Sequence, residues 1–419
     1  MSVIESSAEV VVVGAGISGL ACARTLRAAG RGAVVLDRAD APGGRIRTDV
    51  VEGFRLDRGF QVMLTAYPEA RRVLDYARLD LRAFYPGALV RWNGGFHRVA
   101  DPFRHPLDGL RGAASPVGSL SDKLRVGLLR LEVAGTSLET LASRPETTTA
   151  AAIEARGFGP SLRERFLRPF LGGVFLERDL HTSSRMFEFV WKMFAAGDIA
   201  VPALGMQAIP EQLAGSLPTG TVRTGVEVAA VEPGLVRLAD GSTISARAVV
   251  VATEGPAAAG LLAGDDPGSR AVTCHYFAAP RSPIGEPILV LNGEGPQDGP
   301  VNNLCVESDV SPAYAPPGQA LVSATVLDGA PDERDGVTAH LRRWFGAQVD
   351  GWRHLRSYRV AHALPDRPAP RSPLVRDGLW RCGDWCEQAS INGALLSGRK
   401  AAEAVLAHLD GASGRQVGR

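Results

Sequence analysis

Residues 9–20 read EVVVVGAGISGL, and their order decides the fold. Glu9 to Val13 has the pattern of a short, fully buried parallel strand, and it runs straight into Gly14-Ala15-Gly16-Ile17-Ser18-Gly19. Alanines and leucines at helical spacing then continue to about Gly30. Each glycine has its own mechanical reason in such a strand, turn and helix. Gly14 allows the tight turn, Gly16 lets the backbone approach a pyrophosphate, and Gly19 lets the helix pack closely on the strand. The free amides at the helix start and the positive end of its dipole face the same anion. A second strand, Ala33 to Leu36, leads into Asp37 and Arg38. Asp37 lies 18 residues beyond Gly19, close to the interval of about 20 at which an acid takes the adenosine ribose. An acid there argues against a bound 2′-phosphate. Dinucleotide binding is the expectation.

Just past the second strand, Ala41-Pro42-Gly43-Gly44-Arg45-Ile46-Arg47-Thr48 offers backbone amides and a guanidinium that could clamp the same pyrophosphate. A surface turn with a solvated arginine is the alternative reading. The runs VVVGAGISGLACARTLRAAG, VVLDRADAPGGRIRT and GFRLDRGFQV together resemble the opening of the flavin amine oxidase, phytoene desaturase and protoporphyrinogen oxidase superfamily. The resemblance implies non-covalent FAD as the ligand, with Gly43, Gly44 and Arg45 against its pyrophosphate.

Near the other end, Leu379 to Cys382 reads as a strand leading into Gly383-Asp384. A helix then opens at Ser390, a good N-cap, and runs to about Leu409. Its Gly393 and Gly398 permit close backbone approach, with the flavin as the expected neighbour. The stretch GDWCEQASINGALLSGRKAAEAVL resembles the superfamily's C-terminal signature. That implies Gly383 and Asp384 at the ribityl and phosphate part of FAD, and the helix start at Ile391 facing the pyrimidine edge of the flavin. Short strands at Val226 to Val231, Val236 to Leu238 and Ala248 to Thr253 form a third piece. The resemblance sets Val228 under the adenine and Thr253 near the cofactor. It covers these three segments, about half the chain.

The predicted architecture is α/β, a discontinuous Rossmann-type FAD-binding domain from residues 1–65, 205–265 and 370–419. Residues 66–204 and 266–369 form an α+β substrate-binding domain of helices and antiparallel sheet. The first of these stretches reads as mainly helical, including Ser121 to Ala134 with Leu124, Leu128, Leu129 and Leu131 at helical spacing. The second shows strand patterns at Thr273 to Ala278, Pro287 to Leu291, Asn303 to Val306 and Ala320 to Val326. In the segment VPALGMQAIPEQLA, Leu204 stands where the superfamily usually has glycine.

With 46 basic and 45 acidic residues the formal charge is +1, which does not point to nucleic acid. The five scattered cysteines suit a reducing cytoplasm better than a secreted disulfide framework. No apolar run is long enough for a transmembrane helix, while peripheral membrane contact stays open. Phe60, Gln61 and Trp385 are the candidates to face substrate, with packing alone as their other reading. No catalytic residue is assigned. Lys123, Lys192 and Lys400 match no amine oxidase lysine, and Ser390 stands at the amine cage aromatic. His181 and His275 lack partners at metal-ligand spacing, so no metal is expected.

The resulting expectation is an FAD-dependent oxidoreductase that dehydrogenates a small apolar molecule by hydride transfer to flavin. With no second GxGxxG, an external acceptor or oxygen would reoxidise it. A flavin amine oxidase and a non-redox flavin isomerase or mutase are the alternatives.

Overall fold

The computed structural model describes residues 6–113, 115–329 and 333–416. Among them the fold is mixed α/β with two large sheets. Four parallel strands form the middle of the first sheet: β1 (Ser7–Val13), β2 (Ala33–Leu36), β3 (Thr243–Val251) and β4 (Leu379–Arg381). They lie in the order β2-β1-β3-β4. Their valine-rich runs are buried on both faces, as a covered parallel sheet requires. Val222–Arg223 extends the β2 edge in parallel, while Leu235–Leu238 and Val228–Glu232 fold back antiparallel beside the start of β3.

The register has one consequence that matters for function. Val13 pairs with Leu36 and with Val251, and Val251 pairs with Arg381, so all four strands end at one level. The residues that follow them, Gly14, Asp37, Ala252-Thr253 and Cys382-Gly383-Asp384, therefore gather at one carboxyl edge of the sheet.

Six helices position the rest: α1 (Ile17–Ala28), α2 (Pro106–Ala113), α3 (Leu120–Gly135), α4 (Arg168–Phe175), α5 (Ser184–Ala196) and α6 (Ile391–Gln416). The Ser390 hydroxyl accepts the Gly393 amide at 3.0 Å, so the expected cap starts α6. The neighbour of Gly398 corrects an expectation, because a Cβ there would lie 2.1 Å from the Ser18 carbonyl oxygen. Its missing side chain lets α6 seat on α1. At Gly393 a Cβ would meet the Gln388 backbone.

The second sheet runs Arg353–Pro365, Ser269–Ala279, Ala320–Leu327, Val301–Val306, Leu289–Asn292, Gly87–Trp92, Gly95–Ala100. All its pairings are antiparallel except Leu289–Asn292 with Gly87–Trp92. The hairpin 87–100 comes from the stretch that reads as mainly helical, which is a correction. Strand Arg353–Pro365 has no counterpart in the sequence reading, because an edge strand with mostly half-exposed polar positions lacks an apolar signal. Helix α3 matches its expected span and starts on a capping box between Ser119 and Asp122. Of its leucines, Leu129 is buried, whereas Leu124, Leu128 and Leu131 face outward. Leu204 is exposed beside Gly205, whose φ of 103° makes the turn, so no glycine is needed at 204.

Candidate functional site

A cavity of about 740 Å³ opens at the carboxyl edge of the parallel strands and continues between the two sheets. Its first end is built from glycine geometry. Gly14 has a φ of 110°, and a Cβ there would lie 2.9 Å from the Ala252 carbonyl oxygen. A Cβ on Gly19 would stand 1.9 Å from the Gly14 carbonyl oxygen, so these two residues are closed to any side chain. Gly16 is different: nothing lies within 4 Å of a Cβ there, and that open space belongs to the cavity. The Gly43 amide donates to the Ala15 carbonyl at 2.9 Å, which lays the second glycine segment alongside the first.

Gly14, Gly16, Ile17, Ser18, Asp37, Arg38, Gly43, Gly44, Arg45, Val228, Thr253, Gly383, Asp384 and Ile391 all line this cavity. Ala15 and Gly19, also expected at the cofactor, do not. Ala15 is buried and donates its amide to the Asp37 carboxylate at 2.6 Å, and Gly19 serves the packing of α1 on the sheet. The other Asp37 oxygen accepts the Ala39 amide at 2.8 Å, which fixes the carboxylate at the strand end. Arg45 donates to Asp384 at 2.7 Å and to the Ala363 carbonyl at 2.9 Å. Its guanidinium thus bridges the first segment, the last segment and the second sheet.

Phe60 and Gln61 line the cavity as expected substrate-facing residues. Phe60 packs edge-on against Phe84 with ring centroids 6.2 Å apart, and the Gln61 amide nitrogen donates to the Arg45 carbonyl at 2.8 Å. Trp385 is a correction. It is buried away from the cavity, with its indole N–H donating to the Thr253 carbonyl at 3.2 Å and Arg371 and Arg381 over its ring. Residues 384–386 form a 3₁₀ turn, in which neighbouring side chains diverge by about 120°. Asp384 facing the cavity therefore turns Trp385 away.

The far end of the cavity was not anticipated. Leu64, Tyr67 and Phe84 form one wall, Phe170 of α4 and Met186, Val190 and Phe194 of α5 another, and Leu289 and Leu291 a third. The only available sequence signal was the i, i+4, i+8 spacing of Met186, Val190 and Phe194, which marks one helix face. None of Lys123, Lys192 and Lys400 lines the cavity, and Lys400 is paired with Glu387 at 2.6 Å. His181 is exposed. His275 is buried against Ser357, and burial pushes its imidazole down to about 4. Burial also raises the Cys386 thiol to about 12 and that of Cys382 well above the ordinary range, which leaves both unreactive at neutral pH.

Behind Arg58–Gln61 lies a buried acid cluster. Asp57 accepts hydrogen bonds from the Thr48 hydroxyl, the Met206 amide and the Tyr314 hydroxyl, while its carbonyl accepts the Tyr276 hydroxyl. Burial raises Asp57 to about 6. Burial first, and then the Asp57 charge, raises Glu307 to about 8.

Residues 17–406 match the model of a family described as flavin containing amine oxidoreductase. The chain belongs to that family. Members of the flavin containing amine oxidoreductase family are FAD-dependent oxidoreductases. The phytoene dehydrogenase of Streptomyces griseus is 52% identical over 135 residues, which cover 29% of this chain and 25% of that protein. Protoporphyrinogen oxidase 2 of Arabidopsis thaliana is 26% identical over 201 residues, 48% of this chain and 39% of the relative. These matches thus span well under half the length of either curated relative. The crystal structure of an oxidoreductase from Methanosarcina mazei superposes with a TM-score of 0.73 at 18% identity, covering 94% of this chain and 100% of the other, a likeness of fold. The cradle fits FAD on its own terms: Gly16 leaves room for a ligand, and the Thr253 hydroxyl is buried on its wall without a hydrogen-bond partner.

Proposed function

We propose that this family member dehydrogenates a small apolar substrate, introducing a double bond, with non-covalent FAD. In this reading the parallel sheet is a Rossmann-type FAD-binding domain made from residues 1–65, 205–265 and 370–419. Residues 66–204 and 266–369 are the substrate-binding domain. The Ile17 and Ser18 amides at the start of α1, with Gly43 and Gly44, hold the pyrophosphate. Asp37 holds the adenosine ribose, and Val228 and Thr253 flank the adenine side. The start of α6 at Ile391 sets the positive end of a helix dipole where negative charge accumulates. When bound, FAD supplies the hydride acceptor, and an external acceptor or oxygen restores it.

One observation carries the choice of substrate. Every charged residue lining the cavity comes from the FAD-binding segments: Asp37, Arg38, Arg45, Arg58, Glu227, Glu254 and Asp384. The lining residues from 66–204 and 266–369 include none, and Tyr67, Tyr85 and Asn303 are their only polar side chains. A cationic amine entering this wall would lose hydration without gaining a carboxylate. An apolar chain or ring system would gain about 25 cal/mol for each Å² it buries.

The test is anaerobic mixing of the FAD-loaded enzyme with isoprenoids, porphyrinogens and alkylamines while flavin absorbance is followed. Bleaching by an apolar compound, lost in Val190→Asp with flavin content retained, is the expected result. Bleaching by amines alone would overturn the reading in favour of an amine oxidase. Product formed only on pre-reduced flavin would make the protein an isomerase.

A further inference from the structure

Six of the nine large hydrophobic side chains exposed among the described residues fall between positions 103 and 131, a concentration too high for scattered surface residues. They are Phe103, Leu107 of α2, and Leu120, Leu124, Leu128 and Leu131 of α3, each at least half exposed. The four on α3 recur at one helix face. The opposite face buries Leu129 and Val133, and α3 packs on α5, whose own far side lines the apolar end of the cavity. The patch is held firmly, because Lys192 of α5 donates to the Val133 and Ala134 carbonyls and Arg130 donates to that of Ala195.

Charge selects the occupant. The acids of this segment are engaged within the fold. Asp101 pairs with Arg104 and Arg130, Asp108 accepts the Tyr85 hydroxyl, Asp122 is buried in the cap of α3, and Glu132 pairs with Arg144. Beside the outward leucines stand the cations Lys123 and Arg125. Leucines with a cationic rim complement the boundary between acyl chains and anionic headgroups. A two-fold contact between copies would set the same cations on both sides of the interface.

We propose that the α2–α3 face docks this protein on an anionic lipid bilayer, with Leu120, Leu124, Leu128 and Leu131 entering the acyl boundary and Lys123 and Arg125 at the headgroups. The docking does not depend on the substrate proposed above. It is tested by cosedimentation of the FAD-loaded full chain with vesicles of phosphatidylcholine, alone or mixed with phosphatidylglycerol. Binding to the mixed vesicles is expected, weaker several-fold without phosphatidylglycerol or in high salt. It should fall by about tenfold or more in Leu124→Ser/Leu128→Ser. Both positions are exposed, so the melting temperature and flavin content of that variant should match wild type, and Leu124→Ala gives a milder second reading. Absence of binding to either vesicle overturns the proposal, as does unchanged binding by the double variant. A concentration-dependent dimer that the double variant dissolves, without vesicle binding, assigns the face to a second copy instead.

Discussion

At the scale of single residues, the three glycines of GAGISG separate into two kinds. Gly14 and Gly19 are closed by backbone contacts, whereas a Cβ on Gly16 meets only cavity. Gly19→Ala should therefore fail as a fold, with little soluble protein. Gly16→Ala should fold with an unchanged apoprotein melting temperature yet lose FAD affinity by about tenfold or more, read as flavin absorbance per chain after gel filtration. Retained flavin in Gly16→Ala would sink the assignment of that space to the pyrophosphate. Glu307 makes a second prediction. The folded chain holds its proton up to about pH 8, against an ordinary value of 4.5, so stability falls as pH rises through that window. Glu307→Gln keeps an acceptor for Ser323 and removes the charge. Its melting temperature should meet that of wild type near about pH 5 and exceed it above pH 8, by a difference on the order of a few kcal/mol. Parallel melting curves across that range would count against the buried acid.

Elements show what was legible in the sequence. The glycine turns, Asp37 and the capped start of α6 announce themselves because tight turns, close approach and capping restrict residue type locally. Trp385 misled because adjacency to Asp384 in sequence says nothing about direction until the 3₁₀ turn is known. The apolar end of the cavity was invisible, since its walls come from separate segments whose residues look individually like ordinary core. Arg45 is the element-scale hinge of the site, reaching Asp384 and the Ala363 carbonyl. Removing it strands a carboxylate that is only 6% exposed in its side chain. Arg45→Ala is expected to cost about 3 kcal/mol, and Arg45→Ala/Asp384→Ala less than the sum of the two single changes. Additive losses in a urea double-mutant cycle would show that the pair does not bridge the segments.

On the scale of the whole molecule, the division between the two sheets follows the chain with little mixing. Strands of the first sheet come from residues 7–36, 222–251 and 374–381, and those of the second from 87–100 and 269–365. The charged lining belongs to the first set and the uncharged lining to the second. Cofactor affinity and substrate choice should therefore be separable by mutation, with α5 changes altering which compound bleaches the flavin and not how much flavin is bound.

The placement of β3 between β1 and β4 also bears on synthesis. As the chain leaves the ribosome, the valine run of β1 has β2 on one edge almost at once, but its other edge waits for β3, roughly 240 residues later. At about 5–20 residues per second that is a delay of roughly 10–50 s with an open apolar strand edge, the condition under which nascent chains aggregate or recruit chaperones.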